Sequence, residues 1–500
     1  MKLCSSAQMK ELDTRAINEA GIPSEVLMTN AARHIAALAE NRLTYGGRII
    51  IFCGMGNNGG DGIAAGAELV SRGVPVRVFL VGDRRLSGDP AEMERRLVSA
   101  GGRLEPFDDT FVVRPDDVVI DAIFGIGLNR PVSGSALSAI RLINGSEAFV
   151  IAADMPSGVS ADTGLVLGDA VRADATVTFT FAKPGQLIEP GCVYCGKVSV
   201  HSIGIPEELT DSIESRIFAV SAGDVFLPRR RPDTHKGDYG RDYIIAGSIG
   251  YTGAPVMAAE AALRMGAGLV YLGVPDSIYS IAAIKCTEVM PMPLPCDEDG
   301  LVSWSAREPV SDMLQKADVC LAGPGLGRSY QLDYLIEHII QKSAIPVVLD
   351  ADGINAIARN INILKQSSLP VVLTPHPGEF ARLGGDLSSG RIQAASDFAQ
   401  NNRCILVLKG HRTITALPDG RVFINTTGGP AMAKGGSGDV LAGMTAALIG
   451  QGIPAERACI TAVYLHGLAG DICAGELGEY SVTATDIIGA IPKAVKSIMR

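Results

Sequence analysis

The segment Ala433-Lys434-Gly435-Gly436-Ser437-Gly438-Asp439 opens an apolar stretch, 440–450, that reads as a helix. Glycines at a helix N-terminus present free backbone amides and the positive end of the helix dipole, an arrangement that binds anions. A carboxylate beside such a cradle can take the proton of a hydroxyl that attacks a phosphoryl group, which makes Asp439 a candidate catalytic base. No Gly-Lys-Ser/Thr ends the run, so it is not a Walker A loop.

A second chemical set lies in the first half. Gly54-Met55-Gly56-Asn57-Asn58-Gly59-Gly60-Asp61-Gly62 follows an apolar run at 48–53. Gly54, Gly56 and Gly59 satisfy G-x-G-x-x-G between a strand and a helix, a dinucleotide signal. Two details depart from that fingerprint. Asn57 and Asn58 stand where small apolar residues are usual, and Asp83 follows Gly54 by about 30 positions instead of about 20. The loop therefore offers amide carbonyls and a carboxylate as well as backbone amides, which suits a ligand with several polar groups, or a cation. Asp121 and Asp154 close two further strand-like runs, and Ser157 follows the second. Strand carboxyl ends converge in a doubly wound sheet, so Asn58, Asp121, Asp154 and Ser157 are expected to meet. Such oxygen-only ligands suit a hard cation.

The elements that must position these residues alternate. Strand-like runs at 48–53, 76–81, 118–122 and 148–153 are separated by helical patterns such as 61–72 and 91–100, with later strands at 175–182 and 197–203. That pattern predicts an α/β domain with a parallel, doubly wound sheet. A Pro-containing, charged stretch at 204–240, including Arg229, Arg230 and Arg231, reads as a linker between domains at 1–215 and 220–500. The alternation then resumes, with strands expected at 243–246, 269–274, 319–322, 347–349, 371–374 and 405–408, and an edge hairpin at 422–425. Glycine-rich or titratable loops follow several of these: Gly323-Pro324-Gly325-Leu326-Gly327, Thr374-Pro375-His376-Pro377-Gly378-Glu379, and Lys409-Gly410-His411-Arg412-Thr413. His376, rigidly held between two prolines, reads as a binding residue, whereas His34, His338 and His466 fall in helical patterns and read as structural. Asp350 and Asp352 either bind magnesium or start the next helix.

Composition limits the function. The chain has 500 residues, enough for two or three domains, with 58 Gly, 5% aromatics and a formal charge of −10. No basic excess marks a nucleic-acid binder, and few aromatics argue against a ring-stacking carbohydrate or peptide surface. Residues 1–15 carry charges throughout and lack an apolar signal core, and no uncharged apolar stretch approaches a membrane span of about 18 residues. Ten cysteines are scattered, and Cys192/Cys195 lack the second pair a zinc site needs. A reduced, cytoplasmic protein is expected, with no nucleic-acid or membrane partner.

The motifs Gly-Asn-Asn-Gly-Gly-Asp (56–61), Asp-Ala-Ile-Phe-Gly-Ile-Gly (121–127) and Asp-Met-Pro-Ser-Gly (154–158), in that order, closely resemble the NAD(P)H-hydrate epimerase domain over roughly residues 1–210. The resemblance implies a Rossmann-like domain in which Asn58, Asp121 and Ser157 hold a potassium ion. It places the hydrated dinucleotide against Asn57, Asn58, Gly59, Gly60, Asp61, Gly125, Ile126, Gly127, Leu128, Asn129, Arg130, Pro131 and Asp154. Lys183, in Phe181-Ala182-Lys183-Pro184-Gly185, looks like a further family position. Residues 220–500 resemble the ribokinase-like superfamily, and within it ADP/ATP-dependent NAD(P)H-hydrate dehydratase, through Thr234-His235-Lys236-Gly237 and the loops at 323–327, 374–379, 409–413 and 436–439. This implies a nucleotide at Lys409, Gly410, His411, Arg412, Thr413 and Gly438, and the hydrate near Ala254, Gly325, His376 and Asp439. ADP with magnesium is the expected phosphoryl donor, by the fused architecture alone. Together the domains would repair hydrated nicotinamide cofactors. The first would interconvert the R and S epimers through Asp154, and the second would dehydrate the S form at the expense of ADP, giving AMP and phosphate. A homo-oligomer is expected. The alternative is a ribokinase-type small-molecule kinase fused to a dinucleotide-sensing domain.

Overall fold

A computed structural model describes residues 1–83 and 85–499, so Arg84 and Arg500 lie outside the described residues. The chain divides into two compact units, Lys2–Ile217 and Phe218–Arg500.

In the first unit, Ile-, Val- and Phe-rich runs form strands β1 (Ile49–Cys53), β2 (Val76–Leu80), β3 (Leu104–Pro106), β4 (Val118–Ala122), β5 (Phe149–Ala153), β6 (Ala175–Phe179) and β7 (Lys197–His201). They pair in the order β3-β2-β1-β4-β5-β6-β7, all parallel. β1 and β4 are buried at every position, as strands covered on both faces must be. The order reverses between β1 and β4, and a doubly wound sheet opens its ligand crevice at that switch. Helix α1 (Asn57–Ser71) leaves β1 through the glycine loop. It begins at Asn57, earlier than the 61–72 expected from sequence. Gly59 explains the early start: a Cβ there would lie 1.8 Å from the Gly54 carbonyl oxygen, so the chain turns into the helix at once.

In the second unit the strands are β8 (Arg241–Ile245), β9 (Leu269–Pro275), β10 (Met290–Leu294), β11 (Val319–Ala322), β12 (Val347–Leu349), β13 (Val372–Leu373), β14 (Ile405–Leu408), β15 (Ile414–Ala416) and β16 (Val422–Ile424). Their order is β16-β15-β14-β13-β12-β11-β8-β9-β10. β14, β15 and β16 form an antiparallel meander and the remaining neighbours are parallel. Sequence reading omitted β10 because Pro291 and Pro293 cannot donate to a ladder. It stands at the end of the order, where one side needs no donors.

Helix α2 (Gly253–Met265) and the largely buried α3 (Ser437–Gly450) cross closely on this sheet: a Cβ on Gly443 would reach within 2.0 Å of the Ala258 carbonyl. Helix Ala455–Leu477 is long and apolar enough to cross a bilayer by length and composition. Thirteen of its residues, from Ala458 to Cys473, are buried in the core of this unit, which identifies it as a core helix.

Candidate functional site

In the first unit the polar loops gather where β4, β5 and β6 end. Asp121 occupies the penultimate position of β4, opposite Phe52, and is fully buried. Ser157 satisfies it twice: Oγ donates to Oδ1 at 2.6 Å and the backbone amide to Oδ2 at 2.7 Å, while the Ile123 amide reaches Oδ1 at 3.2 Å. Burial pushes the Asp121 carboxyl up to about 6 against these hydrogen bonds. Asn58 lies in the first turn of α1. Gly125 lets its Oδ1 come close, a Cβ there being only 2.8 Å away, and its Nδ2 is buried without a partner. Gly125, Ile126 and Leu128 are partly buried, whereas Gly127, Asn129, Arg130 and Pro131 form an exposed rim.

Asp154 leaves β5 with φ +63°, a left-handed conformation that aspartate tolerates and that marks strain at functional positions. Its backbone is pinned by Val177, whose carbonyl accepts from the Asp154 amide at 2.8 Å, and by Gln186, whose Nε2 donates to the Asp154 carbonyl at 2.6 Å. Its Oδ1 accepts from Thr178 Oγ1 at 2.9 Å and from Lys183 Nζ at 2.5 Å. Lys183 is 1% exposed, and also donates to Thr178 Oγ1 and the Phe179 carbonyl. Thr178, Gln186 and Asp13 escaped the sequence reading. Asp13, on helix Ser6–Asn18, has its carboxyl pushed up to about 6 by burial and by the Asp154 charge, against Lys183. Asp61, predicted to bind ligand, is held well above the usual carboxylate range by burial and then by Asp154 and Asp13. Lys183 pairs with Asp154 directly, and its charge also reaches Asp13 and Asp61.

In the second unit Gly436 takes φ +92°, where a side chain would also strike Met257, and starts α3 with Ser437 and Gly438. Asp439 lies in the first turn. Its carboxyl is pushed up to about 7 by burial and by Asp350, against the pull of Lys409. Asp350 is buried at the end of β12, and its Oδ1 accepts from Lys409 Nζ and from Thr374 Oγ1, each at 2.7 Å. Burial works against the Lys409 charge, but Asp350, Glu379 and Asp439 outweigh it and raise its pKa. A Cβ on Gly438 would stand 3.2 Å from Lys409 Nζ, which joins two predicted nucleotide contacts. Gly410 (φ +150°) and Arg412 (φ +58°) shape the turn between β14 and β15, and Arg391 braces it through the His411 carbonyl at 2.8 Å. Thr413 Oγ1 closes the turn onto the Gly410 carbonyl at 2.9 Å.

Two predicted hydrate contacts meet directly: a Cβ on Gly325 (φ +64°) would lie 3.1 Å from the Ala254 Cβ. His376 caps helix Pro377–Arg382, its Nδ1 accepting from the Gly378 amide at 2.9 Å and the Glu379 amide at 3.3 Å. That bonding places the neutral ring's proton on Nε2, 3.4 Å from Glu379 Oε1, with the side chain half exposed. Asp352 lies in the first turn of helix Ala351–Ile357, as the helix-start alternative expects, and its Oδ2 accepts from the Gly327 amide at 2.9 Å.

Among the described residues no three His, Cys, Asp or Glu side chains are grouped to hold a metal. In the first unit a cation would therefore need mixed oxygen ligands, which Asn58, Asp121 and Ser157 supply, and the buried Asp121 carboxylate lacks a cationic side chain among its hydrogen-bond partners. In the second unit a divalent ion would need phosphate oxygens beside the Asp439 and Asp350 carboxylates, the usual way magnesium is held.

Residues 24–185 match the family model for the YjeF-related protein N-terminus, and residues 243–493 match the model for NAD(P)H-hydrate dehydratase. A bifunctional NAD(P)H-hydrate repair enzyme from Moorella thermoacetica is 40% identical over 100% of this chain and 97% of its own length. One from Thermofilum pendens is 39% identical with the same coverage. A solved ribokinase-like superfamily protein from Enterococcus faecalis is 28% identical, covers 57% of this chain and 98% of its own, and superposes with a TM-score of 0.51. Both family models fall on the two units that carry these sites, and full-length relatives carry the same pair, so this chain belongs to the family of bifunctional NAD(P)H-hydrate repair enzymes.

Proposed function

We propose that the first unit interconverts the R and S epimers of NAD(P)H-hydrate and that the second dehydrates the S epimer, using ADP. The observation that carries this reading is Asp439, a carboxylate near neutral pKa in the first turn of a glycine-opened helix, beside the buried Lys409–Asp350 pair.

In the second unit Asp439 takes the proton from the hydroxyl of the hydrate, and the freed oxygen attacks the terminal phosphoryl of the nucleotide, releasing AMP when the donor is ADP. A base with pKa close to the working pH combines adequate ionisation with adequate basicity. Amides of the 436–438 loop and the Lys409 ammonium face the transferring charge, which is how phosphoryl transfer is catalysed. The C–O bond then breaks with phosphate as the leaving group, pushed by the ring nitrogen's electron pair, and loss of a proton from the adjacent ring carbon restores the double bond. Hydroxide leaves poorly and phosphate leaves well, which explains the need for a nucleotide. Magnesium would be held by the nucleotide phosphates beside Asp350 and would supply charge neutralisation.

In the first unit Asp154 is the general acid and base, its carboxylate oriented by the Lys183 hydrogen bond to Oδ1. Protonation of the hydroxyl expels water and leaves an iminium, and water returning to the other face, with loss of its proton to Asp154, inverts the centre. Asn58, Asp121 and Ser157 would hold potassium, which would supply fixed positive charge. The segments 57–61 and 125–131 take the dinucleotide. We read the chain as a cytoplasmic homo-oligomer with its cysteines reduced. The test is recovery of reduced-nicotinamide absorbance from a mixture of hydrate epimers with ADP or ATP and magnesium. Complete recovery with ADP supports the reading, and accumulation of a stable phosphorylated product contradicts it.

A further inference from the structure

A cavity of about 540 Å³ opens beside the Gly325 loop, within the usual size of a small-molecule site. It is built by the segments that follow β11, β12 and β13, while the predicted donor contacts at 409–413 follow β14. Gly327, Asp352, Tyr330 and three arginines, Arg328, Arg359 and Arg382, are among the residues that line it. Asp352 links the cavity to the reacting centre, because its charge contributes to raising the Asp439 pKa and its Oδ2 holds the Gly327 amide.

Arg359 hydrogen-bonds Tyr330 and feels Asp333, while Arg382 and Arg328 each have a single side-chain partner. Arg382 donates to Asn355 Oδ1 at 2.8 Å, Arg328 stands 3.8 Å from Asp352, and Arg359 lies 5.0 Å from the centre of the Tyr330 ring. The Tyr330 ring is 67% exposed at the cavity. The carboxylates there are Asp352, occupied by Gly327, and Asp333, whose pKa burial raises against Arg359. An exposed aromatic ring backed by arginine is a stacking platform for a nucleobase, and clustered guanidiniums recognise phosphate.

We infer that this cavity takes the adenosine half of the hydrated dinucleotide, with adenine on Tyr330 and a 2′-phosphate between Arg359 and Arg382, so that the second unit prefers NADPH-hydrate to NADH-hydrate. The inference rests on the dehydratase reading of Asp439. It gives the substrate an extended path from the Gly325–Ala254 contact through Gly327 into the cavity, away from the donor nucleotide.

The test measures dehydration by the full chain at saturating ADP, with NADPH-hydrate and NADH-hydrate varied in turn. Loss of one charge-assisted phosphate contact, about 1.5–3 kcal/mol, corresponds to at least about a tenfold rise in KM. Arg359→Ala and Arg382→Ala are expected to raise KM for NADPH-hydrate by that factor with no matching rise for NADH-hydrate, and Arg382→Lys to recover part of it. Tyr330→Ala is expected to raise KM for both. Adenosine 2′,5′-bisphosphate, the probe, is expected to compete with NADPH-hydrate and not with ADP. Equal KM values for the two hydrates that the arginine variants leave unchanged, or a bisphosphate that competes only with ADP, overturn the cavity assignment while leaving dehydration intact. A wild-type chain that dehydrates neither hydrate removes the underlying reading, and the cavity assignment with it.

Discussion

Lys409 and Asp350 form a buried ion pair directly behind the glycine loop, with Nζ 2.7 Å from Oδ1 and the Gly438 backbone packed against the ammonium. The pair ties the end of β12 to the end of β14 and sets the electrostatics of Asp439, which feels the Asp350 negative charge and the Lys409 positive charge together. The loop, the base and the ammonium therefore act as one unit.

Asp439→Asn keeps the shape and removes the base. Dehydration is expected to fall by about 10²–10⁴, the usual worth of a positioned general base. Epimerisation, followed by chromatography of the two epimers, is expected to persist, as is ADP binding measured by calorimetry.

The pH profile follows from the same carboxylate. Asp439 must be ionised to accept a proton, so kcat/KM for dehydration is expected to fall as pH drops below about 7. Asp350→Asn removes the negative neighbour and releases Lys409 toward Asp439. Both effects favour ionisation, so the acid limb is expected to move to lower pH. A limb that stays in place contradicts the proposed coupling.

Lys183→Met leaves Asp154 buried without its cation. Breaking one side of a buried pair costs about 3–5 kcal/mol, so the thermal midpoint of the first unit is expected to drop and epimerisation to be lost. Dehydration of the pure S epimer is expected to continue, which separates this effect from general unfolding.

Asp242 is fully buried on β8, and neither carboxylate oxygen has a hydrogen-bond partner. Burial, then Asp318, hold its pKa well above the usual range. A raised carboxyl pKa means the folded state keeps a proton that the unfolded chain releases near pH 4. Its contribution to stability is therefore whole below about pH 4 and is lost as pH rises toward the folded value. Asp242→Asn is expected to flatten the fall of the second unit's thermal midpoint as pH rises above about 4, read by scanning calorimetry.

Gly443→Ala would push a methyl against the Ala258 carbonyl where α2 and α3 cross. Overpacking of this kind costs about 1–3 kcal/mol, visible as a lower urea midpoint for the second unit.

The sequence carries both sheets because apolar strands and glycine-rich turns are local signals: β1, β4 and the loops after them stand where their residue types require. It also brings Asp121 to Ser157, since strand ends converge by topology, whereas only the family resemblance placed Gly325 with Ala254. It was silent where a contact depends on distant packing. Asp13 reaches the Asp154 cluster from a helix far away in the chain, and no local pattern marks it. Thr178 and Gln186 look like ordinary strand and turn residues until Asp154 turns left-handed beside them. His376 reads as a ligand contact from its two prolines, and in the fold its Nδ1 caps a helix while its Nε2 stands 3.4 Å from Glu379 Oε1.

The central claim is that one chain carries two separable activities on one substrate. It is tested most directly by following reduced-nicotinamide absorbance after adding ADP and magnesium to a mixture of hydrate epimers, with wild type and Asp154→Asn side by side. Wild type is expected to recover all the cofactor faster than spontaneous epimerisation allows, and Asp154→Asn to halt after the S epimer is consumed. Full, rapid recovery by Asp154→Asn, or a wild type that halts at the same point, would contradict the assignment.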